Sequence, residues 1–371
     1  MPPSAASSVT GSSTSPGDIP TYAVILAGGE GTRLWPMAGP DHPKPFLPLD
    51  RGRSLFQRTL ERVSPLVDPG HVLVVAGRSH ARWIRRQAPE LSARNVLLES
   101  MGRNTAGSVA LAAMWILSRH ADAVMVVLPS DHWIAPASAF RASLSLGITA
   151  ARMTDRLVLV GVPVRSPDTG LGYIQPGRRG VHPGVRAVQR FIEKPPAAVA
   201  RRMLRSGQYL WNSGIFVWRA VAIRDELRRH QPSVIRPAEN WVHGGGSRAR
   251  TVPESVLRKM PAVPIDRAVL ERSSNVAVVR ARFRWSDIGN WDTFGQFLAK
   301  GRNANVAIGR LVTRGSSRCL SVNAQGLTVI VGLDDVAVVR SRDAVLVCHR
   351  GASQEVRKVS ARLRRPAGGR G

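Results

Sequence analysis

Between residues 21 and about 300, short apolar β-branched runs alternate with helix-forming stretches, and this rhythm admits few architectures. The runs AVILA (23–27), HVLVVAG (71–77), AVMVVLP (123–129) and RLVLVGV (156–162) are apolar at successive positions rather than at every second one. Such continuity marks a strand covered on both faces. Residues 79–91 have mixed helical character, and NTAGSVALAAMWILSRH (104–120) reads as a helix that buries a broad face, with Asn104 or Thr105 at its cap. The alternation predicts an open, mostly parallel α/β sheet flanked by helices, with ligands at the carboxyl ends of the strands. Beyond residue 300 the texture changes to short β-rich runs separated by glycine or Asn/Asp turns, which predicts a small all-β domain over 301–357. A chain of 371 residues exceeds what one core usually holds, about 250–300 residues, so a large domain over 21–300 with a smaller one after it is expected.

The two ends read differently. Residues 1–20 are rich in Ser, Thr, Pro and Gly and lack the basic start and apolar middle of a signal peptide, so a disordered tail is expected there. Residues 358–371 are expected to form a basic disordered tail. No window reaches the ~18 consecutive apolar residues of a membrane span. Two isolated cysteines, Cys319 and Cys348, fit neither a disulfide scaffold nor a zinc site and point to a reducing cytoplasm. A formal charge of +28 invites a nucleic-acid reading, but the basic residues are scattered rather than gathered in a stripe and lack interleaved aromatics. Nucleic acid is therefore not the expected partner. Of 53 basic residues only Lys44, Lys194, Lys259, Lys300 and Lys358 are lysines, and a retained ammonium marks places where the guanidinium fork does not fit.

The first apolar run breaks into GGEGTR. Gly28, Gly29 and Gly31 let amide groups crowd an anion, and Arg33 adds an always-charged fork for phosphate oxygens. No GK[ST] follows, and the last glycine of GxGxxG is missing, so this is neither a P-loop nor a dinucleotide turn. A triphosphate is the expected ligand; a plain glycine turn is the alternative. Asp131 follows VMVVLPS and Asp287 follows NVAVVRARFRWS, so both carboxylates leave β-like runs toward one crevice. Facing a triphosphate they would repel it unless a cation lay between, and Mg²⁺ suits one or two carboxylates plus phosphate oxygens. Alone, Asp131 could cap a helix and Asp287 could serve a turn. In HPKPFLPL two prolines restrict Lys44, and in FIEKP Glu193 and Lys194 precede another proline, suited to sugar hydroxyls and a monoester phosphate. Surface loops are the alternative for both. In YLWNSGIFVW, Asn212 stands beside apolar bulk, as a carbohydrate pocket needs, or else bonds its own turn. ESMGRNT places Arg103, Asn104 and Thr105 at a helix start.

The ordered set LAGGEGTRLWP with PKPFLPL, ESMGRNTAGSVALAA, LPSDHWI, TGLGYI, FIEKP, WNSGIF, PIDRAVLERS and WSDIGNW resembles the mannose-1-phosphate guanylyltransferases over roughly residues 21–350. The resemblance implies a Rossmann-like nucleotide-diphospho-sugar transferase domain and a C-terminal segment similar to a short left-handed β-helix, with homodimers as the expected assembly. It implies Mg²⁺-assisted condensation of GTP with mannose 1-phosphate to GDP-mannose and diphosphate. By that pattern Leu26, Ala27, Gly28, Gly29, Gly31, Thr32 and Arg33 hold the nucleotide with Asn104 and Thr105 near guanosine. Lys44 adds charge, Asp131 and Asp287 bind the metal, and Gly172, Glu193, Lys194 and Asn212 surround the sugar phosphate. The catalytic set is then Arg33, Lys44, Asp131, Lys194 and Asp287. Two departures stand out: Ala38-Gly39 replaces the Ser-Arg pair usual after RLWP, and RNTAGSVA replaces RNTAPAIA. No cupin-like extension follows, so phosphomannose isomerase activity is not expected. A related transferase using another sugar or base, or a silent regulatory homologue, are the alternatives.

Overall fold

The computed structural model describes residues 19–29, 31–49 and 52–363. In chain order its strands are β1 (Thr21–Ala27), β2 (Val72–Gly77), β3 (Val96–Glu99), β4 (Val124–Pro129), β5 (Trp133–Ala135), β6 (Leu157–Pro163), β7 (Tyr173–His182) and β8 (Val185–Ile192). They continue with β9 (Leu210–Arg219), β10 (Thr251–Val252), β11 (Val276–Arg280), β12 (Arg284–Ser286), β13 (Val306–Arg314), β14 (Leu320–Val331), β15 (Val336–Arg340) and β16 (Val345–His349). The main sheet has the order β10-β3-β2-β1-β4-β9-β6-β11-β8-β7. It is mostly parallel: β9 pairs antiparallel with β4 and β6, and β8 with β11 and β7, so these two strands run against the rest. The chain winds from β1 outward to β2 and β3 and then returns to place β4 on the other side of β1. That reversal leaves a crevice at the carboxyl ends of β1 and β4.

The four apolar runs form central strands because each is walled on both faces. Alternate residues of β1 divide between two cores: Tyr22 and Val24 face one, Ala23, Ile25 and Ala27 the other. Helices Leu55–Val63 and Ala137–Thr154 cover the second core. The helix Asn104–Leu117 carries no charged residue and is buried without a break from Ala106 to Ile116. An all-round apolar helix needs cover on its outer side as well, and Ala220–His230 and Pro232–His243 provide it.

In the C-terminal domain β13, β14 and β15 stack in parallel, and β16 closes the sheet antiparallel to β15. Leu320, Val322, Ala337 and Val339 share a core with Leu34, Leu47, Trp291 and Phe294, so the β domain braces the segment after the glycine turn. One expectation needs correction. Residues 358–363 belong to a helix, Val356–Leu363, whose Val356 and Ser360 are buried one turn apart against the turn Thr32–Leu34. The basic residues that suggested a tail occupy the outer face of that helix. The expected N-terminal tail falls outside the described residues through position 18, as does the remainder of the C-terminal one, 364–371.

Candidate active site

The segments leaving β1, β3, β4 and β6, with the start of the reversed strand β9, enclose a cleft of about 480 Å³. Leu26, Gly28, Gly29, Asn104, Thr105, Asp131, Gly172, Glu193, Asn212 and Asp287 all line it. Residues more than 250 positions apart thus meet at one sheet edge.

Behind the wall, joining two residues that line it, lies Lys44. Its prolines hold it in the short turn Lys44–Phe46, where it is only 7% exposed. The ammonium donates to Asp131 Oδ2 at 2.8 Å and to the carbonyl oxygen of Asp287. Asp287 is reached through β12, which pairs antiparallel with β5 beside Asp131. Burial by itself would raise the Asp131 carboxyl, but the adjacent Lys44 ammonium holds it below its ordinary value. Gly31 makes this packing possible: it has φ +66°, and a Cβ there would lie 2.3 Å from Lys44 Cβ. A methyl group at Gly289 would sit 3.3 Å from Asp287 Oδ2 and 3.6 Å from Arg33 Nη1, so carboxylate and guanidinium flank the same bare backbone.

The other half of the cleft is built around Asn212. Its Nδ2 donates to Asp266 Oδ1 at 2.6 Å, and its Oδ1 accepts from the Gly214 N–H at 3.1 Å. Asn212 therefore bonds its own turn and also faces the cleft. Gly172 accepts from the Asn212 N–H at 2.8 Å, and a Cβ on it would meet Glu193 Oε2 at 2.6 Å. Lys194 pairs with Glu193 at 3.0 Å while remaining half-exposed.

Not every expected residue reaches the cleft wall. Ala27 is buried in the sheet, and Gly31, Thr32, Arg33, Lys44 and Lys194 do not line the cleft. The helix cap is also corrected. Arg103 occupies the N-cap position without a side-chain cap bond. Asn104, at φ +60°, accepts from the Thr105 N–H, and the Thr105 hydroxyl accepts from the Ile265 N–H. Both side chains are spent on fixing neighbouring backbone.

Among the cleft residues that escaped the sequence reading are Glu99, His132, Asp266 and Trp285. Burial pushes Glu99 up to about 7, opposed by a hydrogen bond from Ser108 Oγ at 2.8 Å. Burial lowers His132 to about 4, and its Nδ1 accepts from Trp285 Nε1 at 3.1 Å, which fixes a neutral ring. Burial, then the like charge of Glu193, raises Asp266 to about 6. Asp266 sits in a π-helical turn, Asp266–Leu270, a local form often found at functional sites. Glu99 and Asp266 lie inside quoted motifs as carboxylates beside apolar runs, and that was their available signal.

Among the described residues no group of three or more His, Cys, Asp or Glu is arranged to hold a metal. The pair Asp131 and Asp287 offers hard oxygen donors only, which fits a small divalent cation that completes its shell with phosphate oxygens and water. No helix of the described residues is long and apolar enough to cross a membrane.

Comparison with known proteins agrees with this geometry. Residues 22–302 match the nucleotidyl transferase family and residues 309–363 the MannoseP isomerase/GMP-like beta-helix domain. The alginate biosynthesis protein AlgA of Pseudomonas aeruginosa is 36% identical over 345 residues, which cover 91% of this chain and 70% of AlgA. A mannose-1-phosphate guanylyltransferase of Sinorhizobium fredii is 37% identical over 347 residues, covering 91% of this chain and 67% of that protein. A crystal structure described as a mannose-1-phosphate geranyltransferase from Thermus thermophilus superposes with a TM-score of 0.86 at 34% identity, covering 93% of this chain and 99% of that one. The sheet order, the cleft at its switch point and the appended β domain thus have one account: the chain belongs to the nucleotidyl transferase family, in the branch that carries a MannoseP isomerase/GMP-like β-helix domain.

Proposed function

We propose that this chain is a mannose-1-phosphate guanylyltransferase that joins GTP and α-D-mannose 1-phosphate to give GDP-mannose and diphosphate. The observation that carries this reading is the junction of Lys44 with Asp131 and Asp287 between two differently furnished halves of one cleft. The half at β1 to β3 has a bare glycine turn and apolar walls suited to a nucleotide. The half at β8 and β9 has amide and carboxylate groups suited to sugar hydroxyls.

A phosphate monoester oxygen is already nucleophilic near neutral pH, so the reaction needs no general base and no covalent enzyme intermediate. The sugar phosphate oxygen forms a bond to the α-phosphorus while the bond to the bridging oxygen of the diphosphate breaks. Alignment and charge neutralisation then supply the rate. Leu26, Ala27, Gly28, Gly29, Gly31, Thr32 and Arg33 shape the triphosphate site, and Asn104 and Thr105 border the nucleoside. Gly172, Glu193 and Asn212 orient the sugar, and Lys194 meets its phosphate by leaving Glu193. Lys44 keeps both carboxylates in place and adds charge beside the phosphates. Asp131 and Asp287 would hold Mg²⁺, which supplies Lewis-acid neutralisation of phosphate charge.

The test is diphosphate release by purified protein across GTP, ATP, UTP, dTTP and CTP paired with mannose, glucose and fucose 1-phosphates, with Mg²⁺ and with EDTA. A metal-dependent peak at GTP with mannose 1-phosphate is expected. A peak elsewhere moves the substrate, and no release under any pairing refutes the enzymatic reading.

A further inference from the structure

Glu271 has no part in the scheme above and stands outside the cleft wall, yet it holds the backbone of a residue that lines it. Its Oε1 accepts from the Glu193 N–H at 2.8 Å. The next residue, Lys194, has φ +49°, a left-handed conformation that a residue with a side chain keeps only where its surroundings enforce it. Pro195 follows and restricts that residue further. This corner decides where Glu193 stands. Its side chain is only 7% exposed and occupies the space that Gly172 leaves open.

The local backbone explains how Glu271 reaches it. The turn Asp266–Leu270 is π-helical, and the Glu271 N–H donates to the Asp266 carbonyl at 2.9 Å. In an α-helix, side chains five positions apart diverge by about 140°. A ring closed over five residues brings them back toward one side. Asp266 accepts from Asn212 while Glu271 accepts from Glu193, so a single turn grips the sugar half of the cleft at two points. The same segment is moored separately to the nucleotide half. There the Ile265 N–H donates to Thr105 Oγ1 at 2.9 Å, and the Ala106 N–H donates to the Val263 carbonyl at 3.2 Å.

We propose that Glu271 is a positioning residue for the sugar phosphate: by holding the Glu193 N–H it fixes the Glu193–Lys194 corner in the conformation from which Glu193 meets the sugar and Lys194 its phosphate. This rests on the guanylyltransferase reading. Without that acceptor the corner relaxes toward ordinary backbone, Glu193 leaves the gap at Gly172, and the sugar phosphate binds more weakly. The nucleotide half keeps its moorings, which run through Val263 and Ile265 and not through Glu271.

The experiment is steady-state diphosphate release by wild type, Glu271→Ala and Glu271→Gln, with GTP and mannose 1-phosphate each varied while the other saturates. Glu271→Ala should raise the KM for mannose 1-phosphate by on the order of tenfold, the scale of one hydrogen bond to a charged group, and leave the KM for GTP unchanged. Glu271→Gln keeps an oxygen acceptor at the same reach and should recover most of that loss. Glu271 is exposed, so neither substitution disturbs the core, and a thermal scan confirms that each variant is folded. An unchanged KM for mannose 1-phosphate in Glu271→Ala, an equal rise in both KM values, or a Glu271→Gln no better than Glu271→Ala overturns this inference while the guanylyltransferase reading stands. A wild type that releases no diphosphate from this pair of substrates overturns both.

Discussion

Asp266→Asn should make the protein more stable at alkaline pH while making it a poorer enzyme. Burial first and the neighbouring Glu193 second raise the Asp266 carboxyl from 3.8 to about 6, against the opposing pull of Asn212 and Lys194. Because the folded value lies above the unfolded one, the folded state holds the proton more tightly. The stability this confers is complete below about pH 4 and is lost as pH climbs through about 6. At ~1.4 kcal/mol for each tenfold, the change amounts to about 3 kcal/mol, an upper figure because one side of the residue faces the cleft. Asparagine keeps an oxygen to accept from Asn212 Nδ2 and carries no charge at any pH. Urea unfolding near pH 4, 6 and 8 should show the variant pulling ahead of wild type by up to about 3 kcal/mol at the top of the range, with the two converging at the bottom. Turnover should fall in exchange, because the Asp266 carboxylate lines the cleft and bonds Asn212 there. A gap that does not change with pH, or a wild type more stable at pH 8, would refute the reasoning.

Three further outcomes follow from the same geometry. Asp287→Ala should lower turnover by on the order of 10²-fold or more, comparable to losing one preorganised electrostatic group; a change under threefold in diphosphate release would remove Asp287 from the site. Gly31→Ala must place a Cβ 2.3 Å from Lys44 Cβ at φ +66°, so it should lose about 1–3 kcal/mol in thermal unfolding and displace Lys44 from Asp131; an unchanged melting temperature would contradict this. Arg350 joins the β domain to the helix Trp291–Leu298 through Asp292 Oδ1 at 2.8 Å and the Arg318 carbonyl at 2.7 Å. Arg350→Met should therefore open the domain junction to limited proteolysis before the main domain unfolds, and equal cleavage rates in variant and wild type would count against that role.

Much of the fold was legible because it is dictated locally. A strand buried on both faces must be apolar at every position, so β1, β2, β4 and β6 stand where the runs AVILA, VLVVAG, VMVVLP and LVLVGVP occur. The helix Val356–Leu363 was hidden because its buried face consists of Val356 and Ser360 in a basic run, too short a period to stand out. In the cleft, the glycine turn, Asp131, Asn212 and Asp287 were legible as polar groups set after apolar runs. Glu99, His132 and Asp266 were not, because what distinguishes them is the company they keep after folding.

By itself, the sequence determined the alternation that builds the sheet, the bare turn after the first strand and the types of side chain available at the strand ends. Only the tertiary structure decided which of these meet. Lys44 reaches both Asp131 and the backbone of Asp287 across 243 positions of chain, and no local pattern encodes that closure. The proton affinities of Glu99, His132 and Asp266 were likewise decided there, since desolvation and neighbouring charge act through space and depend on distances that exist only once the core has closed.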